Sequence, residues 1–445
     1  MPLAHGISGV KDLPVPAWLF YYGGAVVLIV SFVALALVWN RPRLAAAATG
    51  RPLLPNVQRI LLSAPLRIAL GAVSFGLLVV VGLAALLGER SPLQNIAPTF
   101  VYVLFWLGLV PVVVLLGNVW PALNPWRAAA DAVAWAWGAA GGGWEPLEYP
   151  RRLGRWPAAV LLACFTALEL AYSNPANPRA LALAIWLYSA VTWMGTLAFG
   201  RRAWFENAEG FSAYFALLGR MAPFTVRRRG EAREIVVRGP LTGLAVGRAR
   251  PGTTAFVAVM LGSVAFDGVS RTGWWIDRRA QVAGSDLSAT LLNGAGLAAT
   301  IVAVAALFLG AIWVAEFVAG EHAHLRGALV FSLVPIALAY AVAHYFSFFV
   351  LQSQYAVPLA SDPFGWGWDL FGTAGVRPDL ALLSANTIWY VQVAALVGGH
   401  VLGLVLAHDR AVDLFEPSRA VRSQYALLAL MVVYTVGGLW LLSIG

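Results

Sequence analysis

Apolar residues in this chain are gathered into runs of about twenty, joined by short polar segments rich in Arg, Gly and Pro, with no sustained alternation of the kind a half-buried strand needs. The hydrocarbon core of a bilayer is crossed by about 20 helical residues, and a helix satisfies its own backbone there. On that measure residues 18–39, 66–87, 99–119, 156–172, 179–199, 287–318, 327–355, 384–407 and 425–442 read as spans, with 253–267 as a shorter tenth. The pattern therefore predicts an all-α, polytopic integral membrane protein of about ten transmembrane helices, forming a single membrane domain over residues 1–445. The first run is about 22 residues long, lacks a clear small-residue cleavage site, and is read as the first helix and not as a leader.

The joints carry structure of their own. Asn124-Pro125-Trp126-Arg127 has the form of an N-cap followed by proline at the first helical position, opening a helix to Trp137. Trp126, Trp135 and Trp137 on that helix suit an interfacial depth, where an indole is half apolar and half wet. Residues 201–252 form the largest polar joint: an aromatic amphipathic stretch, 204–224, precedes 225–238, whose Arg-Arg-Gly-Glu centre suits a small hairpin. The loop 358–383 interleaves Phe364, Trp366 and Trp368 with glycines and with Asp362 and Asp369, a composition suited to folding back on the membrane surface. The segment 268–286, with Arg271, Trp274 and Trp275, is similar in character.

Charge then orients the chain. The net charge of +9 resides in 29 arginines and Lys11, scattered over the joints and not collected on one amphipathic face, so it reports topology and argues against a nucleic-acid partner. Placing the N-terminus outside puts 23 of the 30 basic residues on the cytoplasmic side, including ten between Arg201 and Arg250, and leaves seven outside. Both ends are then extracytoplasmic, and the predicted location is a bacterial plasma membrane, with the lipid bilayer as the principal partner. Cys164 is the sole cysteine, which excludes an intrachain disulfide and any multi-cysteine metal site. It reads as a small packing residue.

Titratable groups within the apolar runs are the candidates for chemistry, because they are costly in lipid. They are His344, His400, Asp267, Glu169 and Glu316, together with Arg271, four residues after Asp267. Asp267 ends the shortest run, where an interrupted helix would leave backbone groups free for a substrate or ion. His344 and His400 are the candidate haem or metal ligands, and their positions place them in opposite halves of the membrane. His322, His324 and His408 fall at the cytoplasmic rim. Asp362, Trp366, Trp368 and Asp369 form a candidate outer surface for a cation or sugar. Walker A, dinucleotide-binding, HExxH, CxxCH and nucleophile-elbow patterns are absent from the sequence. The reading that fits these parts is a secondary transporter or permease for a small solute or ion. The alternatives are a membrane haem or copper protein, an enzyme acting on a lipid-linked substrate, or a noncatalytic subunit of a membrane complex. The sequence names no cofactor.

The arginine bias predicts the face on which residues 201–252 lie. In a chain carrying Cys164→Ser and a single new cysteine at Arg228, a membrane-impermeant maleimide should label inverted vesicles and leave intact cells unlabelled. The reverse result would invert every depth assignment above.

Overall fold

The computed structural model describes residues 16–230, 232–282, 284–319 and 325–444. Among the described residues 73% are helical, and nine helices are long and apolar enough to cross a membrane. We number the long helices α1 (Ala17–Val38), α2 (Ala64–Leu87), α3 (Ile96–Leu116), α4 (Trp156–Leu170), α5 (Pro178–Phe199), α6 (Thr253–Ser270), α7 (Asp286–Ala319), α8 (Leu333–Gln352), α9 (Ala385–Leu414) and α10 (Tyr425–Ile444). The apolar helix that falls short in length is α4, with 15 residues, while α6 runs uninterrupted for 18, three residues past Asp267. The expectation of a broken helix at Asp267 is thus corrected: no backbone break exposes peptide groups there. Capping follows local chemistry, with Ser63, Asn177 and Ser384 accepting N–H groups at the starts of α2, α5 and α9.

Burial is graded across the bundle. In α6, and in the stretch Leu325–Ser361 that contains α8, 72% of the most apolar window is buried, against 17% in α1. The core therefore lies along α6 and α8, while apolar side chains on α1 such as Val30, Leu37 and Val38 are exposed for contact with lipid. Cys164 is also exposed, which corrects its expected role in packing. The start of α1 meets the end of α10, where the Tyr21 and Ser443 hydroxyls are 2.5 Å apart. We call this end of the bundle the terminal face.

Helices α8 and α9 share the most intimate seam. A Cβ on Gly399 would lie 2.0 Å from Ala339 Cβ and 2.9 Å from the Pro335 carbonyl, and one on Gly403 2.8 Å from the Ser332 carbonyl. Small residues that let backbones touch are the usual device where the hydrophobic effect does not drive association. Within α3, residues Thr99–Leu107 wind as a π-helix, a widened turn that recurs at functional sites.

Two joints sit deeper than their patterns suggest. The helix Pro125–Ala139 is capped by Asn124, whose Oδ1 accepts the Arg127 N–H at 2.9 Å, but Trp126 is 5% exposed and donates its indole N–H to Ser189 on α5. Trp135 and Trp137 on the same helix are exposed. Of the three tryptophans placed at an interface, Trp126 is instead enclosed by the bundle. Likewise the stretch 204–224 forms two short helices, Arg201–Asn207 and Gly210–Leu218, whose Phe211, Tyr214 and Phe215 are buried against Phe105, Trp106 and Trp120. Beyond them, strand β2 (Phe224–Arg229) pairs antiparallel with β3 (Ala232–Val237), and the two-residue strand β1 (Arg51–Pro52) adds to β3, in the order β1-β3-β2.

The α8–α9 seam generates a paired prediction. Gly399→Val should destabilise the purified protein by about 1–3 kcal/mol through overpacking, whereas Gly398→Ala, where a Cβ meets nothing within 4 Å, should leave it nearly unchanged. Thermal unfolding of the two variants in detergent measures the difference, and equal melting temperatures would contradict the seam.

A buried carboxylate, imidazole and phenol cluster as candidate functional site

The two most enclosed helices meet at a polar cluster. Asp267 lies one turn from the end of α6 and is 4% exposed. Its Oδ2 is 2.7 Å from His344 Nε2 and accepts the Tyr345 hydroxyl at 2.8 Å, while its Oδ1 is 3.5 Å from Arg271 Nε. His344 and Tyr345 are consecutive on α8, and their rings meet edge-on at 4.9 Å, so both reach one carboxylate oxygen. A Cβ on Gly268 would lie 3.3 Å from Leu441 near the end of α10, which places the cluster toward the terminal face. Arg271 caps α6 beyond Asp267 and is the most exposed member, at 21% of its side chain.

The geometry supports proton exchange. An ionised carboxylate only accepts, so His344 then donates from Nε2; a protonated Asp267 reverses the contact, and the same 2.7 Å separation serves both states. Glu169, buried on α4, is close enough to interact electrostatically with Asp267.

Further polar atoms lead away from the cluster toward the opposite face. Tyr340 is four residues before His344 on α8, and its buried hydroxyl lacks a hydrogen-bond partner. It lies 3.2 Å from the position a Cβ on Gly268 would take, and its ring shares the surface of Gly438 with Leu396. The Leu396 carbonyl in turn accepts from His400 Nδ1 at 2.8 Å. Because a carbonyl cannot donate, Nδ1 carries the proton and His400 Nε2 is a buried acceptor without a donor. Two turns further along α9, His408 Nε2 donates to the Trp39 carbonyl at 3.0 Å. Beside it, Asp409 Oδ1 accepts from Trp39 Nε1, Arg43 N and Leu44 N, while Oδ2 is buried without a partner. His408, expected at a wet rim, is 1% exposed, because the loop after α1 closes over it.

Of the residues singled out from the sequence, the structure brings together Asp267, Arg271, His344 and Glu169. His400 is not among them. Its neighbour Gly399 packs at the level of Pro335 and Ala339, roughly 8–13 Å of helical rise from His344. Glu316 is half-buried near the opposite end of α7. Among the described residues no group of three or more His, Cys, Asp or Glu side chains is placed to hold a metal ion. His322 and His324 lie outside the described residues.

The loop aspartates are engaged in loop structure. Asp362 accepts the Trp366 and Gly367 N–H groups, and Asp369 accepts from Ser361 Oγ and Ala374 N. These bonds hold the Asp369 carboxyl below its usual range, the Ala374 N–H foremost and then Ser361. Phe364 and Trp366 stack with centroids 4.4 Å apart, and Trp368 packs tilted against Phe364 and edge-on to Trp366 at 5.5 and 5.1 Å.

Sequence reading missed one member of the cluster, Tyr345, and one buried structural anchor outside it, Glu209. Tyr345 stands beside His344, and helical phase alone does not show that both neighbours reach the same carboxylate. Glu209 is wholly buried and accepts from Tyr188, Asn124, Phe211 N and Ser212 N, so it anchors three elements at once. Its signal was the Glu-Gly step that starts the helix Gly210–Leu218 as an N-cap.

No family model, curated protein or solved structure matches the chain.

Removing the shared acceptor should be costly. Asp267→Ala leaves His344 and Tyr345 without their partner and should lower stability by about 2–4 kcal/mol. Asp267→Asn, which retains an acceptor for Tyr345, should lose less than half of that. Thermal unfolding of both variants tests this, and an unchanged Asp267→Ala protein would show that the contacts carry no weight.

Proposed function

We propose that this chain is a proton-coupled secondary transporter or permease for a small solute or ion in a bacterial plasma membrane. The observation that carries the reading is the contact of Asp267 with His344 and Tyr345 on the two most enclosed helices, with Glu169 and Arg271 beside it. A carboxylate at that depth is expensive unless paired, protonated or hydrated, and intramembrane acids and imidazoles mark ion or proton pathways more than they mark packing. Tyr340 on α8 and His400 on α9 support it as polar groups near the cluster that keep a buried atom without a partner. Water molecules bridging such sites are the ordinary way buried polar atoms are satisfied.

In the orientation set by the arginine bias, the terminal face is extracytoplasmic, the Asp267 cluster lies toward the outside, and His408 and Asp409 lie at the cytoplasmic end of α9. The Tyr21–Ser443 contact supports an even number of crossings, with both chain ends on one side and α4 counted as a short tenth span.

In proteoliposomes loaded with a pH-sensitive dye, some member of a broad panel of amino acids, sugars, organic acids and inorganic ions should drive proton movement. Asp267→Asn should reduce that movement to the level of protein-free vesicles, with the variant still folded. Absence of substrate-dependent proton or solute flux across the panel, from a folded wild-type protein, would overturn the reading.

A further inference from the structure

The junction between the starts of α4 and α6, on the face opposite the termini, concentrates positive charge that nothing in the bundle matches. Gly154 and Gly252 adopt positive φ, 44° and 81°, and their turns interlock: a Cβ on Gly154 would lie 2.3 Å from the Pro251 carbonyl, and one on Gly252 2.5 Å from the Trp156 nitrogen. The Arg155 N–H closes the junction on the Pro251 carbonyl at 2.7 Å. Two helices thus begin side by side, with the positive ends of their dipoles adjacent.

Arg155 is the cap residue of α4 and is 8% exposed. Its Nε and Nη1 are buried and have no hydrogen-bond partner. Burial first, and then the charges of Arg220 and Arg250, lower its pKa to about 10, which leaves it cationic at neutral pH. The neighbours supply no anion. Arg220 donates to the Gly243 carbonyl and lies over the Phe331 ring, and Arg250 donates to Asn207 Oδ1 and the Glu206 carbonyl. The Glu206 carboxylate is taken by Arg202. Among the described residues none of the three arginines forms an ion pair.

A buried guanidinium with unmet N–H groups is costly, and more so beside two like charges. An oxyanion relieves it, because the planar fork of N–H donors matches paired oxygens. Three cations and two helix starts favour a group with close to two negative charges and three free oxygens over the single charge of a carboxylate.

We propose that Arg155, Arg220 and Arg250 form a binding site for a phosphate dianion at the junction of α4 and α6, filled either by inorganic phosphate or by the phosphate-monoester headgroup of phosphatidic acid. The site is separate from the Asp267 cluster at the other end of the same two helices, and does not depend on the transport reading.

The test uses the full chain. Thermal unfolding is followed in detergent with inorganic phosphate, against potassium chloride at matched ionic strength, and in phosphatidylcholine nanodiscs with and without phosphatidic acid. Phosphate or phosphatidic acid should raise the wild-type melting temperature by several degrees; a shift with phosphate identifies the soluble source, and a shift with phosphatidic acid alone identifies the headgroup. Arg155→Met should abolish the shift and, without either anion, melt at or above the wild-type temperature, because the unpaired buried charge is gone. Arg250→Gln should weaken apparent affinity about tenfold or more. If neither anion shifts the wild type, or if Arg155→Met keeps the full shift, the site is refuted. Should Arg155→Met fail to fold, Arg250→Gln decides: weakened binding supports the site, and undiminished binding overturns it.

Discussion

In hydrocarbon a polar group has nothing to bond with except the protein, and this single constraint orders the structure from its helices to its candidate chemistry. Backbone groups meet it within each helix, which is why the apolar runs become helices and why irregular backbone is kept to the joints. Side chains meet it in pairs and clusters. Glu209 is satisfied four times over, Asn293 accepts from Trp275 and donates to the Ala171 carbonyl, and Arg179 spends its guanidinium on the Ala85 and Gly88 carbonyls at the end of α2. In each of these every named group has one settled partner state. Such groups hold the bundle together and give no reason to invoke chemistry.

The Asp267 cluster differs in kind. Its members are mutually bonded, yet a proton between Asp267 and His344 has two places to sit across the 2.7 Å contact. Arg271 lies 3.5 Å from one carboxylate oxygen, while His344 and Tyr345 meet the other. A site built only for stability would pair the carboxylate with one cation and stop there, or replace the set by apolar residues at little cost.

Much of this fold is written in the sequence, and the unwritten part has a physical cause. Long apolar runs identify helices because length and hydropathy are local, and Asn124 and Ser384 announce helix starts because capping is local too. Depth is not local. The stretch 204–224 has the same amphipathic period whether its aromatic face lies on lipid headgroups or against Phe105 and Trp106, and only the surrounding bundle decides. Trp126 and His408 were misplaced for the same reason, since a residue near the end of an apolar run reads as interfacial until a neighbouring segment covers it. Asp267 and His344 were each visible as expensive residues, but 77 positions separate them, and the pairing that gives them meaning is a property of how α6 meets α8.

The α8–α9 seam joins these strands of reasoning. Gly399 and Gly403 bring the two backbones together so closely that lipid is excluded between them, yet Tyr340, His400 and Asp409 on those same helices keep buried polar atoms without a protein partner. Their order along the helices runs from the cluster at the terminal face to the His408 and Asp409 pair at the other. Tyr340 lies beside the Asp267 cluster, whereas His400 and Asp409, nine residues apart on α9 and half a turn out of phase, face Leu396 and the segment after α1 respectively. A bundle selected for packing alone would have closed that seam with methyl groups.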